Sequence, residues 1–180
     1  MVSKTEAIGT PYEPQSDEID EWSKAIYARL CEWAASKVGI WERWEPGYLL
    51  LTIASMEGQE LEPAVLYTAD EELTVAFGSW KTRLPDYAPF EGDRRDVAAL
   101  DAREVVEGWL TGQIRTATYF DPTNNWCGSV KVEREDVQSR LRYGLKFMAA
   151  SRPSRIELRT SRREDWRKYT INGKEIQEVI

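Results

Sequence analysis

The sequence contains no histidine among its 180 residues. This absence excludes Ser-His-Asp triads, histidine general bases and most zinc sites, but it leaves chemistry based on carboxylate, lysine or tyrosine side chains open. The sequence also lacks a phosphate-binding glycine loop, a dinucleotide fingerprint, a paired Cys-x-x-Cys motif and a Gly-x-Ser-x-Gly elbow. We therefore expect no cofactor, no metal site and no catalytic residue that the sequence alone can name.

Long apolar runs are absent and cysteines are few. The longest apolar run, residues 48–54, has the length of a strand and falls short of the roughly 18 residues that span a membrane. The N-terminal segment MVSKTEAIGTPYEP lacks the apolar region of a signal peptide. The two cysteines, Cys31 and Cys127, are expected to be free, partly buried thiols. These features predict a cytoplasmic protein that does not contact membranes.

The stretch over residues 71–114 organises the predicted fold. It begins with the alternating pattern LTVAF, which is typical of a half-buried strand. It ends with an amphipathic helix over residues 94–111, for which Asp93 or Asp96 can act as the N-cap and Gly112 follows the last turn. Because the apolar sides of the strand and of the helix must both be buried, we expect the two to pack together.

The same periodicities assign the remaining elements. Apolar steps of three and four predict a helix over residues 16–38, with Ser16 as its N-cap, and a third helix over residues 134–150. Strands are predicted at residues 48–55, 64–69, 73–77, 115–120, 126–133, 154–159 and 166–171. The fold class is therefore α+β, with an antiparallel sheet of five to seven strands, built from a meander plus hairpins, covered by two or three amphipathic helices. The core is expected to contain Trp22, Ile26, Leu30, Trp33, Leu51, Val75, Phe77, Leu100, Val105 and Trp109.

Charge divides the chain unevenly. Residues 1–133 hold 12 Lys and Arg against 24 Asp and Glu, a net charge of −12, whereas residues 134–180 hold 12 against 7, a net charge of +5. We predict a flexible arm over residues 1–15 and a single domain over residues 16–180, in which residues 152–180 form a basic extension. The acidic body should attract basic partners and repel nucleic acid, and the C-terminal part could do the opposite.

Tryptophans and carboxylates supply the candidate partner-binding residues. Trp41 and Trp44 lie between a helix and a strand, where they could form an exposed platform or fold back on the core as a lid. Aromatic residues with a polar handle dominate binding hot spots, so the candidate anchors are Trp41, Trp44, Trp80 and Trp126. The candidate acidic rim is Asp86, Glu91, Asp93 and Asp121. Asp121 lies in the segment DPTNN, which could bind a ligand or form a plain hairpin turn.

The C-terminal stretch offers a second candidate surface. Seven Lys and Arg occur in residues 152–168, with aromatic residues among them, which is the composition of a surface that binds RNA or single-stranded DNA. The candidate phosphate contacts are Arg155, Arg159, Arg162, Arg163, Arg167 and Lys168, and Trp166 or Tyr169 would stack on bases. Charged residues on an edge strand also prevent aggregation, so a solvated strand face explains the same pattern.

A small carboxylate-dependent enzyme is the remaining alternative. It would use Asp121 with Glu71 or Glu72 on a polar substrate. This hypothesis requires two of these carboxylates to meet in a deep pocket.

Three segments resemble small bacterial immunity-type proteins of toxin–antitoxin and polymorphic-toxin systems. They are LTVAFGSWKTRLPDY, the helix end VVEGWLTGQI and the hairpin RTATYFDPTNNWCGSVKVE, and the resemblance extends over residues 64–160. The polar turn of that pattern often carries histidines, whereas Lys81 and Arg83 follow Trp80 in this chain. The resemblance implies a stoichiometric inhibitor, an immunity protein or antitoxin, that neutralises a toxin by binding and catalyses nothing. Many toxins that attack nucleic acid are basic, which fits the acidic body.

Overall fold

In a computed structural model of the protein, the structure describes residues 18–56, 59–85 and 91–179. The predicted arm over residues 1–15 lies outside these ranges. The described residues form three α-helices, namely α1 (Glu21–Ser36), α2 (Arg94–Leu110) and α3 (Val137–Phe147). Their strands are β1 (Ile40–Arg43), β2 (Leu49–Met56), β3 (Gln59–Ala69), β4 (Glu72–Phe77), β5 (Trp80–Leu84), β6 (Ile114–Phe120), β7 (Trp126–Glu133), β8 (Arg155–Arg159), β9 (Arg167–Asn172) and β10 (Glu175–Val179). The predicted α+β class, with an antiparallel sheet of about five strands and two or three helices, is confirmed, but the strands form two antiparallel sheets of five where one sheet was predicted.

The first sheet is a meander in which β1 to β5 follow one another in chain order. It contains the predicted strands β2 to β4 and gains a strand at each edge. Gly78 has φ +55, a left-handed conformation that suits glycine, and the chain turns there from β4 into β5. Phe77 pairs with Trp80 across this hairpin, so both side chains stay on the same side of the sheet.

Helices α1 and α2 cover one side of the first sheet and enclose the first core. Helix α1 begins at Glu21, later than predicted, because Asp20 is its N-cap and accepts a hydrogen bond from the Ser23 amide at 2.6 Å. Asp93 caps α2 as predicted, through the Arg95 amide at 2.7 Å. The prediction that Leu100 is a core residue is wrong, since its side chain is 66% exposed. Three of the six buried residues of α2 are alanines; the six are Ala98, Ala99, Ala102, Val106, Trp109 and Leu110.

The second sheet has the strand order β10-β9-β8-β6-β7. Helix α3 lies on one side of it, against β6 and β7, and a second core forms between them. Tyr119 and Leu141 are fully buried there, and the Tyr119 hydroxyl donates to the Leu141 carbonyl at 2.8 Å. All three strands of the basic C-terminal part belong to this sheet.

Polar contacts join the two sheets. The Ser79 hydroxyl, in the β4–β5 turn, hydrogen-bonds to the hydroxyls of Thr118 at 2.5 Å and Ser129 at 2.7 Å on the second sheet. The amide of Glu62 donates to the carbonyl of Ser161 at 2.7 Å. The side of the second sheet that faces away from α3 is therefore partly covered by the first sheet.

Two smaller features complete the fold. Cys31 and Cys127 are free and half-buried, as predicted. Burial raises the pKa of the Cys127 thiol, with a smaller contribution from Asp121. Among the helices that the structure describes, none is long and apolar enough to cross a membrane.

Candidate functional site

The side of the first sheet that faces away from α1 and α2 carries an exposed apolar patch, which we call the outer face. Its residues are Ile40, Trp44, Leu50, Val65 and Tyr67. Strand alternation places them there, because their neighbours Leu51 and Leu66 point into the first core. Ile40 is 61% exposed and Trp44 is 43% exposed, whereas Leu50, Val65 and Tyr67 are half-buried.

Aromatic contacts hold Trp44 in place on the outer face. Its ring lies 4.7 Å from the ring of Tyr67 and 6.5 Å from that of Tyr48. The Tyr48 hydroxyl donates to Asp70 at 3.1 Å, and this bond raises the pKa of Tyr48. Trp44 therefore sits in a supported position in which one side of its indole remains open to solvent.

Charged residues of both signs border the outer face, and Asp70 lines the same depression as Lys81 and Arg83. Glu42, Glu45 and Asp70 are exposed near Trp44 and Tyr48. Lys81 and Arg83 are exposed on β5 at the opposite edge. The apolar centre of the outer face is thus bordered by charges of both signs. Glu42 and Glu45 lie beside Trp44, which is the most exposed aromatic residue of this face.

Trp41 and Trp80 point to the opposite side of the first sheet and pack against the first core. Trp41 meets the ring of Tyr27 edge-on at 5.1 Å, and its Nε1 is buried with no partner in the described residues. Trp80 lies 5.0 Å from Phe77, which itself stacks on Trp109 at 4.5 Å. The lid interpretation of Trp41 fits this geometry better than the platform interpretation.

The other candidate partner residues do not join the outer face. Trp126 is 62% exposed on the second sheet, with its Nε1 donating to Ser129 at 3.1 Å. Asp93 is the N-cap of α2 and pairs with Arg29 at 3.5 Å. Glu91 is exposed just before that helix, and Asp86 lies outside the described residues.

The carboxylate of Asp121 is held by hydrogen bonds within its own turn. Its carboxylate accepts hydrogen bonds from the Thr123 amide and hydroxyl and from the Asn125 amide and side chain, at 2.8 to 3.1 Å. These bonds, led by that from the Asn125 amide, lower the pKa of Asp121. Asp121 lies on the second sheet, whereas Glu71 and Glu72 lie at the β3–β4 turn of the first, where Glu72 pairs with Arg83 at 3.3 Å. Asp121 and Glu72 are thus each engaged by residues of their own sheet.

The side of the second sheet that faces away from α3 carries Arg155, Arg159, Phe120, Trp126 and Lys168, and we call it the arginine face. Arg155 lies over the Phe120 ring at 4.3 Å. Arg159 lies over the Trp166 ring at 4.7 Å. Each of these stacked pairs presents a planar cation on an aromatic ring.

Glu157 neutralises much of this face. It lies between the two arginines and contacts Arg155 at 2.5 Å and Arg159 at 2.6 Å. Burial opposes ionisation of Glu157, but the hydrogen bond from Arg159 and both positive charges hold its pKa below the usual value.

The remaining basic candidates differ in whether they pair with an acidic residue. Arg167 pairs with Glu178 at 3.5 Å, whereas Arg162, Arg163 and Lys168 are exposed and make no ion pair within the described ranges. Tyr169 is 5% exposed in the second core, so the prediction that it could stack on a base is wrong.

Glu62 is a residue that sequence reasoning missed, because it lies between the predicted strands at residues 48–55 and 64–69. It belongs to β3, at the junction of the two sheets. Burial raises its pKa despite the attraction of Arg159 and Arg163, and its Oε2 is buried without a hydrogen-bond partner in the described chain. Thr116 Oγ1, on β6, is buried and unpartnered in the same way. Since solvent does not reach Glu62 Oε2, its placement suits a role in the junction rather than contact with a substrate.

No protein-family model, curated protein or solved structure matches this chain. We therefore infer a function from the positions and contacts of the chain's own residues.

Within residues 18–56, 59–85 and 91–179, no three Cys, Asp or Glu side chains are grouped so as to hold a metal ion. Of the surfaces described above, the outer face joins an apolar centre, a supported exposed tryptophan and flanking charges in one place.

Proposed function

We propose that this protein is a non-catalytic, protein-binding inhibitor of the immunity or antitoxin type, which neutralises a basic toxin by stoichiometric binding. The observation that supports this proposal best is the outer face. An apolar patch of sheet surface, uncovered by any described helix and bordered by carboxylates, is typical of a site that binds another protein.

Trp44, Tyr67 and Ile40 are the proposed anchors. Exposed aromatic residues that are already held in position lose little conformational freedom on binding, which makes them effective hot spots. Trp41 and Trp80, which were candidates from the sequence, are assigned a structural role in this proposal because they pack against the first core.

Charge supports a basic partner. Glu42, Glu45 and Asp70 border the anchors, and residues 1–133 carry a net charge of −12. Long-range attraction from such a surface accelerates encounter with a positively charged protein. Lys81 and Arg83 at the opposite edge would contact a smaller acidic area of the partner and fix its orientation.

Affinity capture from the source organism tests the proposal, with the wild type and two variants as bait. We expect the wild type to retain a basic protein in equal molar amount, and the bound protein to be toxic when it is expressed alone. Trp44→Ala should lose most of this partner. Phe147→Ala is the matched control, because it removes an exposed aromatic ring from α3, on the other sheet, and should retain the partner. Recovery of only nucleic acid or small molecules, or equal retention by Trp44→Ala, would contradict the proposal.

Binding of RNA or single-stranded DNA is the second candidate function. The observation that favours it is the pair of arginine–aromatic stacks on the arginine face, close to the exposed Trp126. Such stacks can extend onto nucleobases, and the exposed Arg162, Arg163 and Lys168 could contact phosphates. Glu157 works against this function, since its negative charge lies between the two stacked arginines.

A gel-shift titration with single-stranded oligonucleotides at two salt concentrations tests this alternative. Binding at low salt that weakens steeply with added salt would support it, because phosphate contacts release counterions. Absence of binding at low salt would remove it.

A further inference from the structure

A cleft opens between the end of α3 and the turn that joins β9 to β10. Its volume is about 690 Å³, which lies within the range of small-molecule sites. The floor is apolar and is formed by Leu145, Ala149, Pro153 and Ile171. The mouth carries four cations, namely Arg142, Lys146, Arg152 and Lys174.

The four cations at this mouth have no acidic counterpart. No carboxylate lines the cleft, and none of the four side chains pairs with a carboxylate in the described ranges. This differs from Arg155, Arg159 and Arg167, each of which has a glutamate partner. A group of like charges around one opening destabilises the protein slightly, and an anion bound there would relieve the repulsion.

The backbone at Arg152 is also unusual. This residue has φ +50, the left-handed region in which a side chain with a Cβ is strained. Its amide donates to the Ala149 carbonyl at 3.1 Å, and Pro153 follows it into the floor of the cleft. The strained conformation places the guanidinium-bearing residue at the mouth, where a glycine would fit the backbone better.

The lining restricts the chemistry of a ligand. The four cations can bind any anion, but a bare phosphate or a polyphosphate would leave the apolar floor without a contact, and the lining residues include no aromatic ring on which a nucleobase could stack. The combination instead suits an apolar chain in contact with the floor and one negatively charged head group among the cations.

We propose that this cleft binds an aliphatic organic anion, with its hydrocarbon chain on the apolar floor and its carboxylate or phosphate head at the mouth formed by Arg142, Lys146, Arg152 and Lys174. The site lies on the second sheet and does not depend on the outer face. The same chemistry can come from a free fatty carboxylate or from an anionic phospholipid in a membrane surface. The exposed Tyr143 and Phe147, which stack 6.4 Å apart on α3, are near enough in sequence to the lining residues to contact such a surface.

Calorimetric titration of the full chain with decanoate tests the proposal, and flotation with phosphatidylglycerol or phosphatidylcholine vesicles distinguishes the two sources. Saturable binding of decanoate, with 1-decanol and acetate each at least tenfold weaker, indicates a free anion. Selective flotation with phosphatidylglycerol and no decanoate binding indicates a lipid head group. Failure of both ligands overturns the proposal.

Three variants establish where the anion binds. Lys146→Glu should weaken binding at least tenfold. Arg152→Gly should also weaken it, yet its thermal midpoint should equal or exceed that of the wild type because glycine relieves the left-handed strain. Lys168→Glu, which makes the same change of charge on the opposite side of β9, should bind normally. Equal affinity for Lys146→Glu and the wild type would place the ligand elsewhere and overturn the assignment.

Discussion

Replacement of Gly144 by alanine should destabilise the second core, although alanine is the better helix former. Gly144 lies in α3 directly above the buried Tyr119. A Cβ at this position would lie 2.3 Å from the Tyr119 hydroxyl oxygen and 2.6 Å from its Cζ. Both distances are far below van der Waals contact, so the ring of Tyr119 or the helix must move.

The expected magnitude follows from three contributions. Overpacking of a core costs roughly 1–3 kcal/mol. Displacement of the ring also weakens the hydrogen bond from Tyr119 to Leu141, which is worth roughly 0.5–1.5 kcal/mol. Alanine recovers about 1 kcal/mol of helix propensity relative to glycine. The net loss in the free energy of unfolding is therefore about 2 kcal/mol, or roughly 4–8 °C in the thermal midpoint of a chain of this size.

Urea denaturation followed by circular dichroism measures this loss, and Tyr119→Phe provides the matched background. The phenylalanine variant lacks the hydroxyl oxygen that clashes most, so Gly144→Ala should cost less there, by about 0.5–1 kcal/mol, than in the wild type. An alanine variant as stable as the wild type, or an equal loss in both backgrounds, would refute the clash as the reason for the glycine.

Two further stability predictions concern the first core and the junction between the sheets. Phe77→Ala should lower the free energy of unfolding by about 3–5 kcal/mol, because Phe77 is 2% exposed and stacks on Trp109; a loss below about 1 kcal/mol in urea denaturation would contradict this packing. Burial raises the pKa of Glu62, so the folded state favours its protonated form, and stability falls as pH rises from the ordinary pKa of a glutamate through this raised pKa. Glu62→Gln should therefore exceed the wild type by roughly 1 kcal/mol near neutral pH, with a smaller difference at about pH 4. A wild type that is the more stable protein near neutral pH would contradict the burial of this charge.

The helices of the first core could be predicted from their apolar spacing, although the N-cap of α1 is Asp20, and Ser16, the predicted cap, lies outside the described residues. A second difference concerns which residues of α2 face the sheet. Apolar spacing predicts that Leu100 faces the core, but the buried stripe of α2 instead contains Ala98, Ala102 and Val106. Side-chain size is a weak guide to burial where small residues allow a helix to pack tightly.

The division into two sheets could not be predicted, because alternation reveals a strand but not its partners. The short edge strands β1 and β10 expose most of their residues, and β5 exposes two of five, so their patterns resemble those of loops. Strand β1 determines on which side of the first sheet the two neighbouring tryptophans lie. Trp41 lies on the core side of the first sheet through its place in β1, whereas Trp44, just after that strand, lies on the outer face.

The affinity of the captured partner for Trp44→Ala tests the proposed inhibitor most directly. The purified partner should be titrated by calorimetry into the wild type, Trp44→Ala and the Phe147→Ala control, each shown by circular dichroism to be folded. We expect one-to-one binding, a dissociation constant raised at least about tenfold by Trp44→Ala, which corresponds to about 1.4 kcal/mol, and no change for Phe147→Ala. An unchanged dissociation constant for Trp44→Ala, or an equal loss for both variants, would contradict binding through the outer face.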